Sequence, residues 1–186
     1  MGRLIYCMNV SLDGYVADRE GGLGWADVDE ELHTWFNDFA REATAFVNGR
    51  RLYELMAAYW PTAASDPLAT PAMLDFARIW VDKPKFVVSS TLTEAAWNSR
   101  LVSGDVGAEL ARLRAELDGD IDLGGPTLAA ECIRLGLVDE YRLLVHPVVI
   151  GGGTPFVPAL DTPIRLRQIE SQRFDSGVVY LGFVPR

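Results

Sequence analysis

The sequence predicts an α/β fold in which a mostly parallel sheet is covered by helices. Short apolar runs of strand length alternate with amphipathic segments of helical spacing over most of the chain. Near the C-terminus this alternation stops, because two strand-like runs flank a tight turn and form a hairpin. The alternation favours a parallel sheet, and the hairpin adds an antiparallel edge. We expect one domain over residues 1–186, long enough to bury a substantial core.

Strands and helices are expected to alternate in the first half of the chain. The strands are expected at Leu4–Val10, Tyr15–Ala17, Ala45–Val47 and Lys85–Ser89, which are short and mostly apolar. The helices are expected from Asp27 or Asp29 onward, at Arg50–Tyr59 and at Ala72–Trp80. The segment Pro61–Pro71 is expected to be a loop.

The second half is expected to hold two helices, two central strands and the hairpin. Asp105 is placed to cap a helix whose apolar face contains Val106, Leu110, Leu113 and Leu117. A strand follows at Ile121, and the next helix buries Leu128, Cys132 and Leu135 before Gly136 ends it. Val138–Ile150 is strand-like but interrupted at His146-Pro147. The hairpin pairs Leu166–Phe174 with Val178–Val184 around Asp175-Ser176-Gly177.

The composition argues against several classes of protein. The net charge of −9 and the pI of about 4.7 disfavour a nucleic-acid surface, although helix termini and single arginines can still bind an anion. No apolar run approaches the length that crosses a membrane. Cys7 and Cys132 lie in apolar runs, and the chain has only two histidines. We expect a soluble cytoplasmic protein that binds no metal ion, nucleic acid or membrane.

The segment Ile121–Leu128 has the most informative local pattern. Its apolar run ends in Gly124-Gly125, and Pro126 then opens an amphipathic segment. Glycines let a ligand approach the backbone, and proline at the first helical position costs no needed hydrogen bond. The N–H groups of the first turn and the helix dipole then suit a phosphate. An ordinary strand-to-helix turn, with glycine there for steric reasons, is the alternative interpretation.

Two other strand ends carry groups that suit a phosphate. Asn48-Gly49-Arg50-Arg51 follows a strand and opens a helix, and Ser89-Ser90-Thr91 follows another strand. In an open α/β sheet, ligands bind at the carboxyl ends of the strands. Two helix N-termini, a hydroxyl cluster and a guanidinium could therefore hold several phosphates of one extended ligand. The G-x-G-x-x-G fingerprint and the P-loop are both missing from the sequence.

Six short motifs occur in the order found in one known family. They are Asn9-Val10-Ser11-Leu12-Asp13-Gly14-Tyr15-Val16-Ala17, Gly49-Arg50-Arg51-Leu52-Tyr53-Glu54, Val88-Ser89-Ser90, Gly124-Gly125-Pro126-Thr127-Leu128, Gly136-Leu137-Val138-Asp139-Glu140 and Pro147-Val148-Val149-Ile150-Gly151-Gly152-Gly153. The chain resembles the dihydrofolate-reductase-like superfamily, and within it the reductase domain of the bifunctional riboflavin-biosynthesis deaminase/reductase. The resemblance implies a three-layer fold with a central mixed sheet.

The resemblance also implies NADPH as the hydride donor and assigns residues to its parts. Gly49, Arg50 and Arg51 would meet the cofactor's phosphates, and Ser89 and Ser90 would lie near the adenosine 2′-phosphate. Gly124, Gly125, Pro126, Thr127 and Leu128 would cradle the pyrophosphate. Asn9 and Val10 would border the nicotinamide ring. The expected substrate contacts are Ser11, Asp13, Trp25 and Asp27.

The chain departs from the family pattern at two places. The family often has threonine where this chain has Leu52, so one phosphate hydrogen bond is in doubt. In dihydrofolate reductases a carboxylate on the first helix grips the pterin ring, and Asp27 or Asp29 lies in that region. No strong acid–base constellation appears, so no catalytic residue is assigned.

Some of these polar residues also have plain structural interpretations. Asp27 could cap the first helix, and Asp13 suits a turn before Gly14. His33 is expected on a solvated helix face, and His146 is expected to be a strand-end residue rather than a base.

The sequence thus leaves more than one function open. The first is an NADPH-dependent reductase of a small heterocycle, such as 5-amino-6-(5-phosphoribosylamino)uracil or, second, a pterin or dihydrofolate. The alternative is a non-catalytic nucleotide-binding protein, which Leu52 and the lack of a clear catalytic carboxylate motivate. A weaker third option binds a flavin or folate analogue without a nicotinamide site. A homodimer is expected because the hairpin exposes a sheet edge.

Overall fold

Residues 2–186 are described by a computed structural model, in which they form ten strands and five α-helices. The strands are β1 (Leu4–Ser11), β2 (Tyr15–Ala17), β3 (Ala45–Gly49), β4 (Lys85–Val88), β5 (Ser99–Val102), β6 (Ile121–Gly124), β7 (Glu140–His146), β8 (Thr154–Pro155), β9 (Leu166–Arg173) and β10 (Val179–Pro185). The α-helices are α1 (Glu30–Glu42), α2 (Arg50–Tyr59), α3 (Pro71–Asp82), α4 (Val106–Glu116) and α5 (Pro126–Arg134).

Eight of the strands form one sheet in the order β5-β4-β3-β6-β1-β7-β10-β9. Neighbouring strands in the run β5-β4-β3-β6-β1-β7 pair in parallel. The strand β10 pairs antiparallel with both β7 and β9. The predicted mixed, mostly parallel sheet with a C-terminal antiparallel hairpin is therefore confirmed. The remaining two strands, β2 and β8, form a separate antiparallel pair.

Helices cover both faces of this sheet. On one face, Leu32 and Phe39 of α1 pack with Ile5 of β1, and Trp80 of α3 packs with Phe46 of β3. On the other face, the apolar side of α4 and α5 packs against the alternate residues of β1 and β6. That cluster includes Leu4, Tyr6, Leu110, Leu113, Ile121, Leu123, Leu128 and Cys132. The expected three-layer arrangement is confirmed.

Aspartate side chains cap the N-termini of α1 and α4. The Asp29 carboxylate accepts from the Leu32 N–H at 2.8 Å, and the Asp105 carboxylate accepts from the Ala108 N–H at 2.7 Å. The cap predicted at Asp105 is confirmed. The alternative cap at Asp27 is wrong, because α1 begins at Glu30 and Asp29 occupies the capping position.

Two segments of the first hundred residues differ from the prediction. Trp60–Ser65 forms a 3-10 helix with Pro61 in its first turn, so a loop from residue 61 is wrong in its first part. His33 is not fully solvated: its ring packs edge-on against Trp60 and Phe76, each at 5.8 Å between ring centroids. The 3-10 helix brings Trp60 over this face of α1, which the local sequence around His33 does not indicate.

A buried carboxylate holds the amino end of β7 beside β1. Glu140 is fully buried, and its oxygens accept from Arg3 Nη1 at 2.7 Å and from Arg142 Nε at 2.6 Å. Arg3 also pairs with Asp120, which precedes β6. These ion pairs lie at the end of the sheet opposite to the carboxyl ends of the strands.

The glycine run Gly151–Gly153 packs tightly against the end of β2. Gly153 has φ +139°, and a Cβ atom there would lie 1.9 Å from the Ala17 carbonyl oxygen. Next to it, Arg19 donates to the Gly151 carbonyl at 2.9 Å. The run therefore tethers the segment after β2 to the segment after β7.

Half-buried apolar side chains line one face of β7 and β10. They share the face of Tyr6 and Tyr141 by register, and they are Leu143, Val145, Val179, Leu181 and Phe183. The neighbouring edge strand β9 is almost wholly exposed. Within residues 2–186, no helix is both long and apolar enough to cross a membrane.

Candidate functional site

The turns that follow β3 and β6 contact each other at the carboxyl end of the sheet. These strands are neighbours, and Asn48 pairs in register with Gly124. A Cβ atom on Gly124 would lie 2.4 Å from Asn48 Oδ1 and 2.5 Å from Leu52 Cδ2. Gly125 has φ +96°, and a Cβ atom there would lie 3.7 Å from the Gly49 nitrogen. A side chain at Gly124 would displace Asn48 and Leu52, and Gly125 favours glycine on conformational grounds.

Two helix N-termini open at this contact without side-chain caps. Gly49 precedes α2 and Gly125 precedes α5, and neither residue can cap the first turn. The first N–H groups of each helix have no partner inside the helix. They carry the positive end of the helix dipole, so the paired N-termini form a place where phosphate oxygens can be held.

Arg50 and Arg51 stand at the start of α2 in different surroundings. Arg50 pairs with Glu54 at 3.0 Å, and both side chains are about half exposed. An exposed pair of this kind is weak, so Arg50 can exchange its partner for an anion. Arg51 is exposed and lines an open cleft of about 430 Å³ together with Arg19 and Gly153. The cleft thus carries two guanidinium groups, of which Arg19 lies against the glycine run, together with the acidic residues Asp18 and Glu20.

The hydroxyl cluster after β4 lies one strand further along the same edge. The Ser89 hydroxyl accepts from the N–H groups of Thr91 at 3.1 Å and of Leu92 at 3.0 Å, which shapes the turn. Ser90 is exposed. Both serines therefore follow β4, which pairs with β3, and β3 is the strand that leads into Gly49.

A second polar group lies at the carboxyl ends of β1 and β7. Asn9 Oδ1 lies 2.8 Å from His146 Nε2, and His146 is only 2% exposed. The Trp25 ring stands perpendicular to the His146 ring, with 5.5 Å between centroids. Burial lowers the pKa of His146 below its ordinary value, and the nearby Asp27 carboxylate opposes this shift in part.

His146 is the residue whose position the sequence interpretation missed. It does end a strand, as expected, but it lies in register with Ser11 of β1 and beside Asn9. Its neighbourhood follows from the parallel pairing of β1 with β7, which brings together residues far apart in the chain. No local signal at His146-Pro147 could have shown this.

Ser11 and Asp13 are tied into the turn after β1. The Ser11 hydroxyl donates to Asp13 at 2.7 Å, and Asp13 accepts from the N–H groups of Gly151 at 2.8 Å and Ile150 at 3.2 Å. These hydrogen bonds lower the pKa of the Asp13 carboxyl, the Ser11 hydroxyl most of all. Asp13 therefore pins the glycine run to the turn, in agreement with the structural interpretation of that residue.

Not every side chain singled out from the sequence faces this edge. Val10 and Leu128 are buried in the core on the face of α4 and α5, so only their main chains can meet a ligand. Thr127 and Asp27 are exposed, and Pro126 is half-buried. The Asp29 carboxylate is occupied in capping α1. The buried side chains of α1 include Leu32 and Phe39 but no carboxylate.

Two further features bear on the chemistry of the molecule. Among residues 2–186, no group of three His, Cys, Asp or Glu side chains could hold a metal ion.

A cleft of about 480 Å³ lies at the amino end of the sheet, between the C-termini of α1 and α3, and Arg41 and Lys83 line it. None of the residues predicted to bind cofactor or substrate borders that cleft.

Comparison with known sequences identifies one family. The model of the RibD C-terminal domain matches residues 3–180. The Bacillus subtilis (strain 168) protein YyaP is 31% identical over 182 residues, which cover 97% of this chain and 94% of YyaP. The similarity therefore extends over nearly the whole chain.

Comparison with solved structures supports the same fold. Dihydrofolate reductase from Enterococcus faecalis, solved with NADP(H), has a TM-score of 0.68 at 16% identity, over 99% of this chain and 96% of that one. A Thermotoga maritima deaminase/5-amino-6-(5-phosphoribosylamino)uracil reductase also has a TM-score of 0.68, at 14% identity, over 100% of this chain and 57% of that one. At these identities the likeness is one of fold.

Proposed function

The chain belongs to the RibD C-terminal domain family, and from this membership we propose that it is an NADPH-dependent reductase of a small heterocyclic substrate. The observation that carries the proposal is the contact between the uncapped N-termini of α2 and α5 at Gly49 and Gly125. Two such termini beside Arg50 and Arg51 suit a ligand with several phosphates.

The donor set at this edge fits NADPH. The first turns of α2 and α5 offer main-chain N–H groups, and the turn Gly124-Gly125-Pro126 would lie against a pyrophosphate held by them. Arg50 and Arg51 would contact the cofactor's phosphates, with Ser89 and Ser90 toward the adenosine 2′-phosphate. The Enterococcus faecalis reductase of the same fold was solved with NADP(H), which supports this choice of cofactor.

Bound NADPH would supply the hydride, and the protein would bind, orient and exclude water. Asn9 and the main chain of Val10 lie near the end of β1, beyond the residues that pair with β6, and would border the nicotinamide. Ser11, Trp25 and Asp27 lie near His146, and Asp13 is hydrogen-bonded to Ser11. These four residues would contact the substrate. Rate enhancement would come mainly from holding the nicotinamide C4 close to the acceptor carbon.

The substrate class follows from the family and from α1. Relatives of the same fold include a reductase of 5-amino-6-(5-phosphoribosylamino)uracil, and we propose an aminopyrimidine of that kind as the first candidate. A pterin is the second candidate, and it is disfavoured because Asp29 caps α1 and no carboxylate of that helix is buried toward the sheet.

Titration with NADPH and NADH, followed by nucleotide fluorescence, tests the cofactor. We expect micromolar binding of NADPH, weaker binding of NADH, and loss of this preference in Arg50→Ala, because the guanidinium would meet the 2′-phosphate. Arg134→Ala is the matched control, since it removes an exposed arginine at the far end of α5. Failure of the wild-type protein to bind either nucleotide would leave only a shared fold.

A second function remains, that of a nucleotide-binding protein without turnover. It is favoured by Leu52, whose side chain packs at Gly124 where the family often has a threonine hydroxyl. Loss of NADPH absorbance with any aminopyrimidine or pterin would exclude it. Tight binding of NADPH without oxidation across that panel would support it.

We also propose that the protein is a cytoplasmic homodimer. The half-buried apolar face of β7 and β10, with Leu143 and Leu181 in register, would be covered by a second copy. Leu181→Arg should then give a monomer in size-exclusion chromatography with light scattering, whereas an unchanged mass would refute this interface.

The proposed cytoplasmic location rests on the two cysteines. Cys7 and Cys132 are free, buried thiols, as expected in a reducing compartment.

A further inference from the structure

The pairing of His146 with Trp25 is the feature that the proposed function leaves unused. Trp25 precedes α1 and follows a segment with three glycines, Gly21, Gly22 and Gly24. Its indole Nε1 is enclosed and has no hydrogen-bond partner among residues 2–186. Burial of a hydrogen-bond donor without an acceptor costs free energy. A ligand oxygen or a similar acceptor that reaches this N–H would recover that free energy.

Asn9 sets the hydrogen-bonding role of the His146 ring. Its amide oxygen lies 2.8 Å from Nε2, which suits a ring that carries its proton on Nε2 and donates a hydrogen bond to Asn9. Nδ1 is then the unprotonated nitrogen of a neutral ring and can only accept. Burial favours the neutral ring further, since it lowers the pKa of His146 below the ordinary value.

The two neighbouring rings thus carry one donor and one acceptor. Trp25 supplies the indole N–H, and His146 supplies the Nδ1 lone pair, in perpendicular rings with centroids 5.5 Å apart. A heterocyclic ligand with a ring N–H next to a carbonyl is complementary to this pair. The ligand N–H can donate to Nδ1 of His146, and the ligand oxygen can accept from the Trp25 indole. A protonated amidine, as in a diaminopyrimidine, offers donors only.

We propose that His146, oriented by Asn9, and Trp25 determine specificity by selecting a heterocycle whose edge carries N–H beside C=O. The proposal rests on the proposed reductase function, because it places the heterocycle at the carboxyl end of β1. It assigns a positioning role to His146 and no proton transfer. It also explains how a substrate is held where α1 offers no buried carboxylate.

Calorimetric titration with three pyrimidines in saturating NADP⁺, and again without nucleotide, tests the proposal. We expect 5,6-diaminouracil to bind. The affinities of 5,6-diamino-1,3-dimethyluracil and 2,4,6-triaminopyrimidine should be lower by a factor of about ten or more. His146→Phe should bind all three pyrimidines with similar, weak affinity. His146→Gln should recover part of the preference, since its amide can donate to Asn9 and still accept. His33→Phe is the matched control and should behave as wild type.

Histidine NMR gives a readout that does not depend on any ligand. The chain has two histidines, so His146→Gln identifies the signals of His146 directly. We expect a neutral ring protonated on Nε2 at pH 7, and Asn9→Leu should abolish the preference for that tautomer. A proton on Nδ1 in the wild type would overturn the proposal, as would an unchanged preference for 5,6-diaminouracil in His146→Phe.

The outcomes separate this proposal from the proposed function. Normal NADPH binding with no His146-dependent preference refutes the specificity role alone. Failure to bind NADPH refutes the reductase, and the titrations without nucleotide still report on the His146–Trp25 pair. Failure of wild-type protein to bind 5,6-diaminouracil at millimolar concentration under either condition also counts against the specificity role.

Discussion

Asp122, in the middle of the sheet, should make the protein less stable as the pH rises. The residue lies in β6, in register with Ile5 of β1 on one side and Phe46 of β3 on the other. Burial raises the pKa of its carboxyl from 3.8 to about 7, although Arg142 and Lys83 oppose this shift. The folded protein therefore holds a proton that the unfolded chain has released at the same pH.

The sign and size of the effect follow from linkage. Between the unfolded pKa of 3.8 and the folded pKa of about 7, the folded state binds more protons, so the free energy of unfolding falls as the pH rises. A gap of about 3 pKa units at about 1.4 kcal/mol each sets an upper limit of about 4 kcal/mol above pH 7. Asp122 is partly exposed, and contact with water reduces this to about 2 kcal/mol.

Asp122→Asn removes the titrating group while keeping its shape. We expect the variant to be more stable than wild type by about 2 kcal/mol near pH 8 and nearly equal to it near pH 4. Urea unfolding followed by circular dichroism at both pH values measures the difference. Asp161→Asn, which neutralises an exposed carboxyl, should show no such dependence. A variant that is less stable than wild type near pH 8 would refute the reasoning.

Three glycine substitutions test the site and its surroundings. Gly125→Ala must adopt φ +96° next to Gly49, so we expect NADPH binding to weaken about tenfold in the fluorescence titration; unchanged affinity would argue against a pyrophosphate there. Gly153→Ala would place a methyl group 1.9 Å from the Ala17 carbonyl oxygen and should destabilise by about 3 kcal/mol in urea unfolding. Gly151→Ala, with φ +75° and open space around it, should cost only about 1 kcal/mol, and equal losses in the two variants would contradict the clash.

Much of the fold could be predicted because its signals are local. The segment Arg50–Tyr59 was predicted as a helix with the bounds that α2 has, because Gly49 opens it and apolar residues recur at helical spacing. Asp105 was predicted as a cap for the same reason. The strand β5 escaped prediction, since Ser99–Val102 is short and follows Trp97 and Asn98, which both have positive φ. Its place depends on pairing with β4, which local sequence does not encode.

The residues of the candidate site also divide into those with local sequence signals and those that depend on strand pairing. The glycine pair at Gly124 and the arginines after Gly49 were found from the sequence, because turns and helix starts have local signatures. The meeting of Asn9 with His146 was missed, since it depends on the parallel register of β1 with β7. The assignment of these residues to a cofactor and a substrate stays a prediction, which the titrations above would decide.

The position of β1 also has a consequence for how the chain is made. β1 is the first strand in the sequence, yet both of its partners, β6 and β7, come roughly 120 to 135 residues later. At a synthesis rate of about 5–20 residues per second, β1 leaves the ribosome on the order of 10 s before its neighbours exist. During that interval its apolar residues, such as Leu4, Ile5 and Tyr6, have no sheet to join. The sheet can therefore close around β1 only after β7 has emerged from the ribosome.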